Sequence, residues 1–160
     1  MTHRAFIAIG SNLQDPASQV NKAFELLAGI PETHLTKRSS LYLSAPVGYD
    51  NQPDFINAVA EVSTELTPQQ LLQCLLATEN AQGRERSFAN APRVLDLDLL
   101  LYDDRVMNTT ELTLPHPRMH ERGFVLYPLV EIAPDIEIPA KGNAQALLNA
   151  CSDNNIEKLH

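Results

Sequence analysis

The sequence lacks every familiar glycine-rich phosphate loop. Neither G-x-x-x-x-G-K-[ST] nor a G-x-G-x-x-G after an apolar run occurs, and the protein-kinase signature residues are absent. Any phosphate group would therefore have to be held by other residues. Arginine is the first candidate, because its planar guanidinium forms two parallel hydrogen bonds with phosphate.

Long hydrophobic runs and cysteines are also scarce. No segment approaches the roughly 20 apolar residues of a membrane span, and the apolar stretch near the N-terminus is too short for a secretion signal. Cys74 and Cys151 lie far apart and do not have the spacing of metal ligands. We therefore expect a protein of the reducing cytoplasm that does not associate with a membrane.

Positive charge is scarce as well, since 12 Lys and Arg against 20 Asp and Glu give a formal net charge of −8. Duplex recognition normally needs a basic face, so no nucleic-acid partner is expected. The 160 residues have a globular composition and can bury one core. We expect a single domain over residues 1–160 and, because no long apolar stripe is left over, a monomer.

Apolar periodicity and capping signals predict the element order β-α-β-β-α-β. The predicted strands are 4–9, ended by a turn at Gly10-Ser11-Asn12, then 34–43, 55–62 and the strand of Asp96 and Asp98; the helices begin after Asp15 and Thr67 and end at Gly29 and Gly83. This order is typical of an α+β, ferredoxin-like sandwich with helices packed on one face of an antiparallel sheet. C-terminal additions are a short strand near 112–114 and helices around 124–132 and 144–150.

Asp96 and Asp98 are separated by one residue in the leucine-rich stretch A-P-R-V-L-D-L-D-L-L-L-Y. On a strand both carboxylates emerge on one side, about 6–7 Å apart. Two carboxylates on a buried strand need a strong counter-charge, and Mg²⁺ usually takes one or two carboxylates together with substrate phosphates. The alternative is an edge-strand carboxylate paired with an arginine.

Basic side chains surround this strand in the sequence. Arg84, Arg86 and Arg93 precede it, and Arg122 lies in a later loop. Three arginines within ten residues indicate a phosphate site, although a single arginine is more often a solvated surface residue. His116, which stands between two prolines, suits a hydrogen-bond donor to phosphate or is an ordinary loop histidine.

Phe55 and Asn57 share one face of the predicted strand 55–62. An aromatic ring beside an amide suits a site that stacks a flat heterocycle and reads its edge. The alternative, an aromatic that fills a second small core, is equally compatible with the sequence.

Together these residues resemble the 6-hydroxymethyl-7,8-dihydropterin pyrophosphokinase family, and the resemblance covers nearly the whole chain. The most specific match is A-P-R-V-L-D-L-D-L-L at 91–100. Further matches are I-G-S-N at 9–12, Q-P-D-F-I-N at 52–57, G-R-E-R at 83–86 and L-P-H-P-R-M-H-E-R-G-F at 114–124. The resemblance implies a ferredoxin-like fold and a reaction of folate biosynthesis that moves pyrophosphate from ATP to the pterin hydroxymethyl group and releases AMP.

The resemblance also implies roles for individual residues. Asp96 and Asp98 would bind two Mg²⁺ ions, and with Arg84 and Arg93 they would carry catalysis. The residues expected to contact or gate ATP are Arg84, Arg86, Arg93, Thr113, His116 and Arg122. Those expected to form the pterin pocket are Ser44, Val47, Phe55, Asn57 and Phe124, with the two phenylalanines sandwiching the ring.

The sequence departs from known versions of the family pattern at two places. One is the segment F-A-N-A before Pro92, and the other is the residue Glu111. Both concern the grip on ATP rather than the metal ligands. The loops 45–54 and 83–92 are expected to close as lids over the substrates.

Two other functions compete with this prediction. A different Mg²⁺-dependent phosphotransferase or nucleotidyltransferase would use the same aspartates with another acceptor, and a catalytically silent module would bind nucleotide without turnover. Substrate profiling separates the first, because only the pterin enzyme needs the Phe55, Asn57 and Phe124 pocket. Substitution of the aspartates separates the second, because a silent module has no turnover to lose.

Overall fold

The computed structural model describes residues 2–13, 15–45, 53–82, 95–151 and 156–159. The strands in these ranges are β1 (His3–Ser11), β2 (Thr33–Arg38), β3 (Tyr42–Ser44), β4 (Phe55–Thr64), β5 (Asp96–Tyr102), β6 (Met107–Asn108), β7 (Thr113–Leu114), β8 (Glu137–Ile138), β9 (Gly142–Asn143) and β10 (Ile156–Lys158). The helices are α1 (Pro16–Ala28), α2 (Pro68–Ala81), α3 (Gly123–Ile132) and α4 (Ala144–Ala150), with a 3₁₀ turn at Met119–Glu121. The fold is α+β.

The main sheet is antiparallel, and its strands neighbour one another in the order β10-β3-β4-β1-β5, with β2 also paired to β4. On the central strand β1, Gly10 lies opposite Asn57 of β4 on one side and opposite Asp96 of β5 on the other. Directly paired residues point to the same face of a sheet. Asn57, Gly10 and Asp96 therefore form one row across three strands.

Helices cover both faces of the sheet, whereas the sequence predicted them on one. The residues Ile7, Ala58 and Leu99 pack with α1 and α2, as expected for the βαββαβ order. The opposite face is also apolar, since Phe6, Val59 and Leu100 alternate with those residues along the same strands, and it packs against α3, on which α4 packs in turn. An apolar second face needs its own cover, which the C-terminal helices supply.

Two strand predictions are corrected. Strand β1 continues through Gly10 and Ser11, where a turn was predicted, because backbone pairing with neighbouring strands needs no side chain. The strand predicted over 34–43 is divided into β2 and β3. Between them, Ser39 replaces regular pairing, since its Oγ accepts a hydrogen bond from the Val59 N–H at 2.9 Å and its own N–H donates to the Val59 carbonyl at 2.9 Å.

The helix ends show which capping predictions hold. Thr67 and Gln70 form the predicted capping box on α2, with hydrogen bonds of 3.2 and 2.9 Å. Asp15 precedes α1 as predicted, but its side chain makes no cap bond to the helix backbone; it accepts instead from the Ser18 hydroxyl at 2.9 Å. Helix α2 ends at Ala81, and Gly83 lies outside the described residues.

The later elements agree with the sequence patterns. Strand β7 and the helices α3 and α4 occupy the three segments predicted near 112–114, 124–132 and 144–150. Strand β10, which pairs with β3 at the sheet edge, was not predicted. Among helices of the described ranges, none combines the length and apolar character needed to cross a membrane.

Candidate active site

A cavity of about 240 Å³ opens on the face of the sheet that α3 covers. Its lining residues are Ala8, Ile9, Gly10, Ser44, Ala45, Phe55, Asn57, Ala58, Asp96, Asp98, His116, Arg122 and Phe124. Eight of these were predicted from the sequence as site residues. They come from β3, β4, β5, the segment after β7 and the beginning of α3, so the fold brings together residues up to 80 positions apart in the chain.

The other predicted site residues do not line this cavity or lie outside the described residues. Thr113 is half-buried in β7, where it pairs with Asn108 of β6. The positions outside the description are Val47, Arg84, Arg86 and Arg93, together with F-A-N-A and most of the loops 45–54 and 83–92 that were expected to act as lids. Glu111 is exposed on the segment before β7.

Asp96 and Asp98 have the same-face geometry that their spacing predicted. Both are half-buried in β5, and they alternate with the buried Leu97 and Leu99, which point into the opposite core. Within the described ranges, no three or more His, Cys, Asp or Glu residues cluster as metal ligands. Two carboxylates without a third protein ligand fit Mg²⁺, because this ion commonly completes its octahedron with water and substrate phosphate oxygens.

Glu79 of α2 is a site-supporting residue that the sequence analysis missed. Its side chain is 2% exposed, and its Oε2 accepts a hydrogen bond from the Leu97 N–H at 2.7 Å. Leu97 lies between the two aspartates, so this bond fixes the backbone of β5 midway between Asp96 and Asp98. A signal was present in the sequence, because Glu79 continues the buried helical positions of Leu71 and Leu75 at spacings of four.

Asn57 lies at the other end of the row that contains Asp96. It is 4% exposed, and its Nδ2 donates to the Ser44 Oγ at 2.6 Å and to the Tyr42 carbonyl at 3.4 Å. These bonds direct the amide oxygen toward Gly10 on the cavity floor, where a Cβ would lie 3.5 Å from it. Asn57 therefore presents a hydrogen-bond acceptor beside the cavity.

Two aromatic rings line the cavity near this amide. Phe55 is half-buried in β4, and Phe124 lies in the first turn of α3. The Arg122 guanidinium lies over the Phe124 ring, 5.5 Å from its centroid. The cavity thus combines flat apolar surface, an amide acceptor and a cation within one enclosure, which suits a planar heterocycle and an anionic group.

His116 is held in one orientation between these groups. Its backbone N–H donates to the Leu100 carbonyl at 2.9 Å, and its ring Nδ1 accepts from the backbone N–H of Arg118 at 3.2 Å. Burial, with the positive charge of Arg122, lowers the pKa of His116 to about 4. The ring is therefore neutral near pH 7, and because Nδ1 is an acceptor, the proton is on Nε2.

This pKa predicts an acid-dependent loss of stability. The pKa of His116 is about 4 in the folded protein against 6.5 in a model peptide. As the pH falls from about 6.5 toward 4, the unfolded chain takes up a proton that the folded protein does not, so the free energy of unfolding decreases. Between pH 7 and 4.5, we expect wild type to lose about 2 kcal/mol more than His116→Asn, which retains an acceptor for the Arg118 N–H.

Urea unfolding at several pH values measures this difference. His34→Asn is the matched control, because His34 is exposed on β2 and should follow wild type. Parallel pH curves for wild type and His116→Asn would contradict the prediction.

Gly10 supplies a second prediction, because the space above it belongs to the cavity. An alanine Cβ there would lie 3.5 Å from Asn57 Oδ1 and 3.8 Å from Phe55 Cδ1, which are ordinary contacts. We expect Gly10→Ala to change the free energy of unfolding by less than about 1 kcal/mol. The added methyl should nevertheless raise the KM of a substrate that binds in the cavity about tenfold or more, since it displaces that substrate from the cavity surface formed by Gly10.

Gly29→Ala is the control for this variant. Its Cβ would meet the Leu26 and Glu25 carbonyls at 3.5 and 3.8 Å, at the end of α1 and away from the cavity. Steady-state kinetics and thermal melts of both variants separate the local effect from a general one. Equal KM values for Gly10→Ala and Gly29→Ala would show that Gly10 does not form the floor of the binding site.

Comparison with known proteins defines the class and then the family. A family model described as 7,8-dihydro-6-hydroxymethylpterin-pyrophosphokinase (HPPK) matches residues 6–134. A Pseudomonas aeruginosa protein named 2-amino-4-hydroxy-6-hydroxymethyldihydropteridine pyrophosphokinase is 43% identical to this chain over 159 residues, which cover 99% of this chain and 98% of that protein. A Haemophilus influenzae protein of the same name is 43% identical to this chain over 156 residues, which cover 98% of each. The chain is therefore an enzyme of the pyrophosphokinase class. It belongs to the 7,8-dihydro-6-hydroxymethylpterin-pyrophosphokinase family, as the resemblance predicted.

Solved structures share the fold. A Plasmodium falciparum HPPK-DHPS chain crystallised with pteroate superposes on 94% of this chain with a TM-score of 0.72 at 14% identity. Another, crystallised with pterin and p-hydroxybenzoate, covers 99% with a TM-score of 0.73 at 15% identity. This chain spans 42% and 46% of those two chains, less than half of each. At such low identity the likeness shows the α+β fold alone.

Proposed function

We propose that this chain transfers pyrophosphate from ATP to the hydroxymethyl group of 6-hydroxymethyl-7,8-dihydropterin, giving the pterin diphosphate and AMP in folate biosynthesis. The supporting observation is the row of Asn57, Gly10 and Asp96 across three strands. Neighbouring strands are about 4.8 Å apart, so the row sets an amide about 10 Å from a carboxylate. Gly10 leaves the space between them open, and a bicyclic ring lying there would direct its side arm toward the aspartates.

The acceptor half of the site is proposed to bind the pterin. The rings of Phe55 and Phe124 would enclose the flat heterocycle, and Asn57 would accept a hydrogen bond from its edge. Backbone groups of Ser44 and Val47 would complete the pocket. A fixed acceptor favours transfer, because its hydroxyl oxygen is held in line with the phosphorus that it attacks.

The donor half is proposed to bind ATP and Mg²⁺, with Asp96 and Asp98 as the protein ligands of two ions. Bound Mg²⁺ would supply positive charge to the phosphate oxygens. The neutral His116 would donate its Nε2–H to a phosphate oxygen, and Arg122 would offset further charge. The remaining nucleotide contacts are proposed for Arg84, Arg86, Arg93 and Thr113.

The proposed reaction is a single displacement at the β-phosphorus of ATP. The pterin hydroxyl oxygen forms a bond to the β-phosphorus of ATP, and the bond from that phosphorus to the oxygen bridging the α-phosphate breaks. AMP leaves with that oxygen, and the hydroxyl proton passes to solvent. The protein mainly positions the reactants and stabilises charge, as is usual in such transfers.

We also propose that the fold is ferredoxin-like. If β2 and β3 are taken as one interrupted strand, the elements up to β5 follow the ferredoxin-like βαββαβ order, and the sheet order becomes fourth, first, third and second strand. We further propose a single domain over residues 1–160, a monomeric state and a cytoplasmic location.

Product analysis tests the proposed function directly. The purified protein is incubated with ATP, Mg²⁺ and 6-hydroxymethyl-7,8-dihydropterin, and AMP and ADP are quantified by chromatography. AMP that forms only when the pterin is present supports the proposal. ADP would indicate a different phosphotransferase, and ATP binding without any product would indicate a silent module.

A further inference from the structure

We propose that Glu131, which lies outside the cavity, is a positioning residue for the pterin pocket. Its carboxylate joins the last turn of α3 to the segment that begins β3, and so sets the position of Phe124 relative to Asn57. This inference rests on the proposed function, because it concerns how tightly the pterin is held.

The Glu131 carboxylate accepts hydrogen bonds from two residues of the β3 side. Oε1 accepts from the Tyr42 hydroxyl at 2.7 Å and from the Ser40 N–H at 3.0 Å, and Oε2 accepts from the Ser40 hydroxyl at 2.8 Å. The Lys158 ammonium of β10 lies 4.0 Å from Oε2. The Ser40 N–H and the Lys158 ammonium can only donate, and the two hydroxyls direct their protons to the carboxylate.

The ionised state of Glu131 follows from these donors. Burial raises the pKa of the carboxyl, but the hydrogen bonds from Tyr42 and Ser40 and the charge of Lys158 outweigh it, so the pKa is lowered. Burial and the neighbouring carboxylate raise the pKa of Tyr42, which therefore remains a neutral donor. The link between α3 and β3 is thus charge-assisted and is stronger than one between neutral groups.

On α3, Glu131 shares a face with the pocket aromatic. Phe124, Tyr127 and Glu131 are spaced by three and four residues, which places them along one side of a helix. The Tyr127 ring lies 6.4 Å from the Tyr42 ring, so this side faces β3. Fixing Glu131 on β3 therefore fixes the rotation and height of the helix that carries Phe124.

On β3, the residues that contact Glu131 lead to the amide of the pocket. Tyr42 pairs directly with Asn57, and its carbonyl accepts from the Asn57 Nδ2. Ser44, two residues further along β3, holds the same Nδ2 at 2.6 Å. A shift of β3 relative to α3 would therefore move the amide that reads the pterin edge away from the ring that stacks on it.

The test compares Glu131→Gln with Glu61→Gln. Glu131→Gln removes the charge and one of the two acceptor oxygens, so the contacts from Tyr42, Ser40 and Lys158 can no longer all be made to a charged acceptor. Glu61 of β4 is the control, because its carboxylate also joins two elements by hydrogen bonds, from Thr36 Oγ1 at 2.6 Å and from the Arg4 guanidinium. It is buried, whereas Glu131 on α3 is exposed, so its loss is the more severe structural change. It lies four residues along β4 from Asn57, about 13 Å away.

Calorimetric titration with the pterin and, separately, with a non-hydrolysable ATP analogue gives the readout. We expect Glu131→Gln to raise the pterin Kd about tenfold while the Kd of the ATP analogue stays within about twofold. Tyr42→Phe, which removes one donor, should raise the pterin Kd about threefold. Glu61→Gln should leave both constants near wild type even if its melting temperature falls.

Three results would overturn the inference. One is an unchanged pterin Kd in Glu131→Gln, another is an equal loss of pterin and ATP-analogue affinity, and the third is an equal pterin effect in Glu61→Gln. If Glu131→Gln does not fold, Tyr42→Phe decides the matter by the same criteria. Failure of the proposed function is distinguishable, because wild type itself would then neither bind the pterin nor form AMP.

Discussion

Asp98→Asn and Asp96→Asn should each reduce AMP formation at least about a thousandfold, the largest effect expected for any single substitution in the described part of the chain. Each change removes one negative charge from a pair on the same face of β5. A neutral amide is a weak ligand for Mg²⁺, and the ATP phosphates would lose their fixed position and much of the compensating charge. Steady-state AMP release at saturating ATP and pterin measures the loss.

The fold should survive both changes, because asparagine has nearly the shape of aspartate and β5 is held by its backbone pairing with β1. Melting temperatures without Mg²⁺ should therefore stay close to that of wild type. Asp104→Asn is the control, since Asp104 is exposed just beyond the end of β5 and is expected to retain full activity. Either aspartate variant with more than about a tenth of wild-type turnover would refute the metal-ligand assignment.

Asn57→Ala carries the second largest effect, a fall in kcat/KM for the pterin of about a hundredfold or more with the affinity for the ATP analogue unchanged. The amide is buried and is oriented by Ser44 and Tyr42, so its oxygen has a fixed position beside the cavity that alanine cannot supply. The pterin edge would then be left unpaired in a desolvated pocket, which is why the loss exceeds that of a solvent-exposed hydrogen bond.

An analogue of the pterin that lacks the hydrogen-bonding edge shows whether Asn57 contacts that edge or only supports the pocket. Wild type and Asn57→Ala should bind this analogue equally, because the interaction is already missing. Asn80→Ala, an exposed position on α2, controls for the loss of an amide elsewhere. If Asn57→Ala weakens the pterin and the edge-less analogue to the same extent, Asn57 supports the pocket wall and does not read the ring.

The local features of the fold were predictable, because they depend on neighbours in the sequence. The alternation of Asp96 and Asp98 with leucines predicts the strand and the shared face, and Thr67 with Gln70 predicts the start of α2. Both depend on contacts within four residues. The same reasoning placed Phe55 and Asn57 on one face of β4, which the structure confirms.

The remaining features depend on contacts between distant segments. The interruption between β2 and β3 is set by Ser39 bonding to Val59, and the continuation of β1 through Gly10 is set by pairing with strands on both sides. No local pattern encodes either partner. Glu131 was missed for the same reason, since it is an ordinary helical glutamate until the strand it contacts is known. The spacing of Glu79 from Leu71 and Leu75 indicated a buried position, but it did not indicate the strand to which Glu79 bonds.

The row of Asn57, Gly10 and Asp96 exists in only one pairing of the strands. Side chains alternate along a strand, so sliding β5 by one residue against β1 would turn both carboxylates into the apolar core beneath α1 and α2 and would bring leucines to the cavity. A chain that has collapsed with mispaired strands is therefore catalytically inactive, even if its helices have formed. Enzyme activity recovered after refolding consequently counts the molecules whose central strands have found the native alignment, which a helix-sensitive spectrum cannot do.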